Sequence, residues 1–267
     1  MVLLLKRGLE LNNYMYLSVV IPAYNEEENI KKGAPDKVVN YLKKQKYSWE
    51  VIFVDDGSSD KTTDLLSVFT KKEKRIRLIK NPHQGKAATV ITGMLAGKGD
   101  VVLFTDMDQA TPINQLEKFL PWIGAGLPVG RQSFDIVIGT RSGRKGAPVI
   151  RKLMATGFVI LRTVFLRLPL KDTQAGFKAF TRKAAQDIFH NLIIFGQSGL
   201  IRQPAVKAGF DLELLYVARK RGYKIKEVPV EWNYQGSQRV SAIRDGIDSI
   251  KDILRIRWHA VKGDYKQ

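Results

Sequence analysis

Two aspartates, Asp106 and Asp108, flank a single methionine in the stretch FTDMDQ, directly after the apolar run VVL. Close carboxylates repel, and burying them costs on the order of several kcal/mol unless a cation or strong donors compensate. Hard divalent cations such as Mg²⁺ bind one or two carboxylates together with a substrate's phosphates. The D-x-D pair is therefore a candidate metal–diphosphate site, although the same pattern also suits an ordinary turn. A second pair, Asp55 and Asp56, stands in VIFVDDGSSDKT, where another apolar run meets a Gly-Ser-Ser turn. Polar residues close other runs in the same way: Tyr24, Asn25 and Glu26 in IPAYNEE, and Arg141 in GTRSG.

Such endings require elements that bring them to one place. Apolar, β-branched runs at YLSVVIPAYN, WEVIFVDDGS, RIRLIKN, DVVLFTDMDQ and FDIVIGTRSG read as five strands. Helical spacing fills the gaps: after residue 26 with an interruption at Gly33-Ala34-Pro35, from Ser59/Asp60 through Phe69, over GKAATVITGMLAGKG, and over about 112–123. Alternating strands and helices predict an α/β fold, a mostly parallel sheet covered on both faces. Open sheets of that kind bind ligands at the carboxyl ends of their strands. Beyond residue 141 the pattern predicts a helix over 148–170, a loop KDTQAGFKAFTR, a helix from about 182, a helix over FDLELLYVARKRGY, a strand IKEVPVEW and a long terminal helix.

The 267 residues carry a net charge of +18, distributed unevenly. Residues 1–140 hold 19 basic and 16 acidic side chains, whereas the rest hold 25 and 10. That asymmetry points to a polyanionic partner, be it nucleic acid, an anionic membrane or a phosphorylated substrate, or else to a solvated basic surface. The chain has no cysteine, which excludes disulfides and thiolate metal sites, and only three histidines. Its longest apolar stretch, LMATGFVIL, is about half of the roughly 20 residues a spanning helix needs. The opening MVLLLKRG does not fit a signal peptide. These features lead us to expect a protein in the cytosol or peripheral on the cytoplasmic face of a membrane.

The ordered series IPAYNEEENI, VDDGSSDKT, GKAATV and DMD, each after a strand, resembles the inverting family 2 glycosyltransferases of the GT-A, Rossmann-like fold. GTRSG, RKLMATGF, KDTQAGFKAFTR, GSQRVS and ILRIRW extend the likeness to the polyprenyl-phosphate branch, nearest the dolichyl-phosphate β-glucosyltransferases, over about residues 16–260. The resemblance implies a glycosyltransferase domain at 1–239 (nucleotide-sugar half about 16–140, acceptor half about 141–239) and a basic amphipathic helix at 240–267. It implies inverting, Mg²⁺- or Mn²⁺-dependent transfer from a nucleotide sugar, UDP-glucose before GDP-linked donors, to dolichyl or polyprenyl phosphate.

Pro22, Tyr24 and Glu26 would line the nucleotide pocket. Asp55 would accept from the base, and Asp56 would shape the turn or reach the ribose. Lys86 would lie near the nucleotide, unless it is a solvated first-turn lysine. Asp106 would hold the sugar side and Asp108 the metal, while Gln238 and Arg239 would close over the diphosphate. Arg141 and Arg151 are candidates for the acceptor phosphate, since a guanidinium pairs bidentately with phosphate oxygens. The mannosyl relatives of that branch add a serine one turn on, where this chain has Ala155 beside Thr156, and a glutamine where it has Ala110 after Gln109. Asp211 is either a base or a helix N-terminal charge.

A phosphate acceptor is already largely anionic at pH 7 and needs no base. A related transferase acting on a soluble or glycan hydroxyl would need Asp211 as its base. A nucleic-acid-binding protein, suggested by charge alone, leaves the aspartate pairs unexplained. The helix at 148–170 and the terminal helix each read either as interfacial at a membrane or as core helices with solvated arginines.

Overall fold

The computed structural model describes residues 16–124, 133–141, 149–196, 209–233 and 242–265. Seven strands form one sheet: β1 (Tyr16–Ala23), β2 (Ser48–Asp55), β3 (Ile76–Lys80), β4 (Val101–Thr105), β5 (Ile136–Arg141), β6 (Phe177–Thr181) and β7 (Ile225–Val230). Their order is β3-β2-β1-β4-β6-β5-β7, with β6 antiparallel to both neighbours and every other pairing parallel. Eight described helices accompany them: α1 (Glu27–Lys31), α2 (Ala34–Lys43), α3 (Thr62–Lys72), α4 (Lys86–Ala96), α5 (Val149–Leu166), α6 (Arg182–His190), α7 (Gly209–Lys220) and α8 (Ala242–Lys262).

The continuous apolar strands are buried on both faces, and alternation along each strand sorts their side chains into two layers. Val20, Ile52, Phe104 and Phe180 join a core with α4, α6, α7 and α8, whereas Leu17, Val19, Phe53 and Phe177 face α2 and α3. Burying each such side chain contributes about 1.5–3 kcal/mol. Gly93 lets α4 approach the sheet closely, because a Cβ there would collide with Val20.

The register fixes where the functional residues meet. Ala23 lies opposite Asp55, Asp55 opposite Lys80, and Thr105 opposite Phe177. The carboxyl ends of β1, β2, β4 and β5 and the amino end of β6 therefore share one edge.

Four sequence expectations change. The segment over 112–123 is a 3₁₀ helix (Ile113–Lys118) followed by turns rather than an α-helix. The loop expected at KDTQAGFKAFTR contains β6, whose second residue, Lys178, breaks the apolar run that would have marked a strand. The helix expected over 148–170 stops at Leu166, where Arg167 turns to φ 53 and Pro169 prevents continuation. Arg162, expected on the outer face of that helix, is 3% exposed.

Candidate active site

The β1 and β2 turns are tied together at the nucleotide end. Asn25, at φ 52, accepts the Ser59 N–H through Oδ1 (2.9 Å), and its own N–H donates to Ser58 Oγ (3.0 Å). Asp55 is 2% exposed and accepts Ser58 Oγ–H (2.5 Å) and Thr63 Oγ1–H (2.7 Å). Asp55, expected to accept from the base, is a buried carboxylate that holds the turn. Asp56 is also buried, and accepts the N–H groups of Gln84 and Gly85 (both 2.9 Å) and His83 Nδ1 (2.9 Å). Of its two expected roles, the structure shows the turn. Pro22 is buried within β1 rather than on the edge. Glu26, partly buried, accepts Asn29 Nδ2–H (2.5 Å), and its N–H donates to Thr62 Oγ1 (2.7 Å).

The ring of His83, held by Asp56, stacks on Tyr24 with centroids 4.2 Å apart and planes 12° apart. This pair gives the edge a flat aromatic platform that sequence reading did not include. The only sequence signal was a histidine in the turn NPHQGK after the third strand.

At the end of β4, Asp106 Oδ1 accepts from Lys86 Nζ at 2.6 Å. Lys86 opens α4, and it is an ion-pair partner instead of a solvated lysine. Burial alone would depress its ammonium, but the Asp106 charge, with Asp211 and Asp108 farther off, holds it above the ordinary lysine value. Burial, reinforced by the Asp106 charge, pushes the Asp108 carboxyl up, against the pull of the Ala110 N–H on Asp108 Oδ1 (2.9 Å). Gly176 packs against Asp106, so that any Cβ there would strike Oδ2.

The residues fit a hard divalent cation. Two carboxylates face one contacting ammonium, and the charged form of Asp108 is penalised without further compensation. Gln109, at φ 50, donates Nε2–H to the Asp106 carbonyl (2.8 Å) while its buried Oε1 has no partner. Among the described residues no group of three or more His, Cys, Asp or Glu could hold a metal ion. The protein therefore offers a two-carboxylate edge that phosphate oxygens would complete.

At the acceptor end, Arg141 Nε and Nη2 grip Asp172 at 2.6 and 2.8 Å, and its guanidinium lies 5.7 Å from the Trp232 ring centre. Burial would raise the Asp172 carboxyl, yet the Arg141 fork holds it below the usual aspartate value. Next to it, Thr173 Oγ1 accepts from Arg162 Nη1 (3.2 Å), while Arg162 Nε and Nη2 are buried without a partner. Asp211 lies in the first turn of α7 and accepts from Lys178 Nζ at 2.7 Å. Lys178 is fully buried, also donates to the Ala175 carbonyl (2.5 Å), and sits 5.4 Å from the Phe104 ring centre. Glu213, two residues after Asp211, is wholly buried and accepts three backbone N–H groups of residues 193–195 and the Tyr265 hydroxyl, a structural role. Arg151 and Thr156 fall where only the backbone of α5 is described, and Gln238 and Arg239 lie outside the described residues.

A mostly parallel sheet with an aromatic platform, a carboxylate pair and a basic cluster along one edge can be compared with known families. The family model described as "Glycosyl transferase family 2" matches residues 18–189. This chain belongs to glycosyltransferase family 2. The dolichyl-phosphate beta-glucosyltransferase of Trichomonas vaginalis is 34% identical to this glycosyltransferase over 257 residues, covering 91% of the chain and 72% of the relative. The enzymes of the same name from Dictyostelium discoideum and Homo sapiens are 32% and 30% identical, each covering 94% of this chain and 77% of its own length. Among solved structures, mannosyl-3-phosphoglycerate synthase from Rubrobacter xylanophilus aligns with a TM-score of 0.65 at 19% identity, over 99% of this chain and 79% of that one. Glucosyl-3-phosphoglycerate synthase from Mycobacterium tuberculosis gives 0.63 at 20%, over 95% and 84%. These structures establish the GT-A fold for this glycosyltransferase.

Proposed function

We propose that this family 2 glycosyltransferase moves glucose from UDP-glucose to dolichyl phosphate or a related polyprenyl phosphate, with inversion at the sugar C1. The observation that carries the reading is the similarity, over more than nine-tenths of the chain, to dolichyl-phosphate beta-glucosyltransferases of several organisms. The edge geometry supports it. Tyr24 and His83 provide the surface against which a nucleobase stacks, and the turns fixed by Asp55 and Asp56 hold that surface in place. Asp106, braced by Lys86 and by the Gly176 backbone, faces the sugar side. Asp106 and Asp108 would hold Mg²⁺ or Mn²⁺, which stabilises the charge that develops on the departing diphosphate.

Lys86 adds a fixed positive charge beside the same group. Arg141 presents its Nη1 edge, the part outside the Asp172 fork, to the acceptor phosphate, and Arg151 from α5 is its candidate partner. A phosphate oxygen forms the new bond to C1 as the C1–oxygen bond to the nucleoside diphosphate breaks. The acceptor is ionised near neutral pH, so no proton needs to be removed.

The hydroxyl-acceptor alternative needs Asp211 as a base, and its ion pair with Lys178 argues against that role. Among the described residues no helix is long and apolar enough to cross a membrane. The reading includes peripheral attachment, on the cytoplasmic face. A panel of UDP- and GDP-linked sugars with polyprenyl phosphate, scored for labelled lipid with and without EDTA, tests all of it. Labelled glucolipid from UDP-glucose that disappears with EDTA is the expected result. Transfer to free sugars with none to the lipid would overturn the acceptor.

A further inference from the structure

Arg162 lies on the side of α5 turned into the protein, and among the described residues its Nε and Nη2 have no hydrogen-bond partner. Only Nη1 is engaged, donating to Thr173 Oγ1 at 3.2 Å. The ring of Phe158, one turn earlier on the helix, has its centre 5.9 Å from the guanidinium. Buried donors without acceptors are costly to a fold, and more so on a charged group. An unbranched apolar side chain would fill the same place at less cost.

The acids whose charges act on Arg162 are Asp172 and Glu227. Burial outweighs them and holds the guanidinium below the ordinary arginine value. Both acids are committed to other groups. Glu227 Oε1 accepts the N–H groups of Lys171 and Asp172 at 2.7 and 3.1 Å. Asp172 is gripped by Nε and Nη2 of Arg141, and it also accepts the N–H groups of Arg141 and Gln174, both at 3.2 Å. The short segment 171–173 thus carries Arg141 on its carboxylate and Arg162 on the neighbouring hydroxyl.

This arrangement suits an anion that arrives at Arg141. A phosphate dianion at the Nη1 edge would share one guanidinium with Asp172, and the two anions repel each other. As Arg141 is drawn to the phosphate, its hold on Asp172 weakens, and the carboxylate needs a second cation. Arg162 has two donors to offer and is already fastened to the adjacent residue.

We infer that Arg162 is a positioning residue for the acceptor phosphate, and that its unpartnered Nε and Nη2 take up Asp172 as Arg141 engages the phosphate. The inference rests on the reading of Arg141 as an acceptor-phosphate ligand, and it adds the residue that frees Arg141 for that task.

The test uses the full chain with citronellyl phosphate, a soluble prenyl monophosphate, as acceptor. The wild type is expected to gain thermal midpoint when this ligand is added. Arg162→Met removes a buried charge, so without ligand it should melt about 2 °C or more above the wild type. It should nevertheless gain less from citronellyl phosphate, and its acceptor KM should rise about tenfold with the donor KM unchanged. Arg162→Lys keeps the charge and should recover part of the loss. In an Asp172→Asn background there is no carboxylate charge to compensate, and adding Arg162→Met should change the acceptor KM less than about twofold. An Arg162→Met variant that melts below the wild type would overturn the inference, because a purely structural arginine behaves that way. So would an unchanged response to citronellyl phosphate, or the same tenfold loss in the Asp172→Asn background. A wild type that does not respond to citronellyl phosphate would overturn the acceptor reading and this inference with it, which tells the two failures apart.

Discussion

Lys86 and Asp106 form a 2.6 Å ion pair that joins the first residue of α4 to the end of β4. The pair places a fixed ammonium beside the D-x-D carboxylates, and Gly176 on β6's side prevents Asp106 from retreating. Asp106 is thereby oriented before any ligand binds, which is the preorganisation that makes charge–charge stabilisation effective in a site.

Removing that ammonium should therefore affect turnover more than folding. Lys86→Met is expected to lower kcat by about two orders of magnitude while the thermal transition stays close to that of wild type. Lys86→Arg should recover part of the loss. Normal turnover in Lys86→Met would mean that the lysine only neutralises Asp106.

Asp108 presents a different test, because its charged form is disfavoured by burial and by its neighbour. A carboxylate kept in such a place for metal binding should be indispensable. Asp108→Ala is expected to reduce transfer to background at any Mg²⁺ or Mn²⁺ concentration, and to raise thermal stability slightly by relieving repulsion. The combination to measure is activity across a metal titration together with a melting curve. Near-normal turnover would remove Asp108 from the metal.

The ion pair of Arg141 with Asp172 predicts a pH signature. Asp172 titrates below the unfolded aspartate value of 3.8, so its contribution to stability is complete above that value and fades as pH falls through it. Asp172→Asn should cost about 2 kcal/mol at pH 7. In urea titrations the gap to wild type should hold down to about pH 5 and narrow below about pH 4. A gap independent of pH would show that the pair contributes no charge-dependent stability.

The parallel half of the fold could be read from the sequence because its strands are uninterrupted apolar runs such as VVIP and VIFV, each ending in polar residues. The same endings located the edge correctly. What could not be read depends on contacts between distant segments. β6 was hidden by Lys178, which is tolerated in a buried strand only because Asp211, 33 residues later, neutralises it. The burial of Asp55 and Asp56 likewise follows from turns that meet only in the folded chain. The stacking of His83 on Tyr24 joins residues from two separate turns, and no local pattern announces it. Arg162 looked like one of several outward arginines on a helix, and its burial and its contact with Thr173 show that it points inward.

Lys178 and Asp211 differ in exposure, and the difference predicts an asymmetry between their variants. The lysine side chain is fully buried, whereas 18% of the aspartate side chain remains exposed. Replacing Asp211 with asparagine leaves a buried ammonium with neutral acceptors and an aromatic ring but no countercharge, and should cost about 3 kcal/mol or more. Replacing Lys178 with methionine removes the buried charge itself and leaves Asp211 within reach of water, so it should cost only about 1 kcal/mol. If Asp211 were instead a general base, Asp211→Asn would reduce kcat by about 10²-fold or more in protein that remains folded. With a phosphate acceptor, folded Asp211→Asn should keep turnover within about tenfold of wild type. Its kcat should also show no new dependence on pH above 7. Unfolding free energies of both variants, with kcat measured below their transitions, separate the two cases: a large kcat loss without the stability asymmetry would restore Asp211 as a base and require a hydroxyl acceptor.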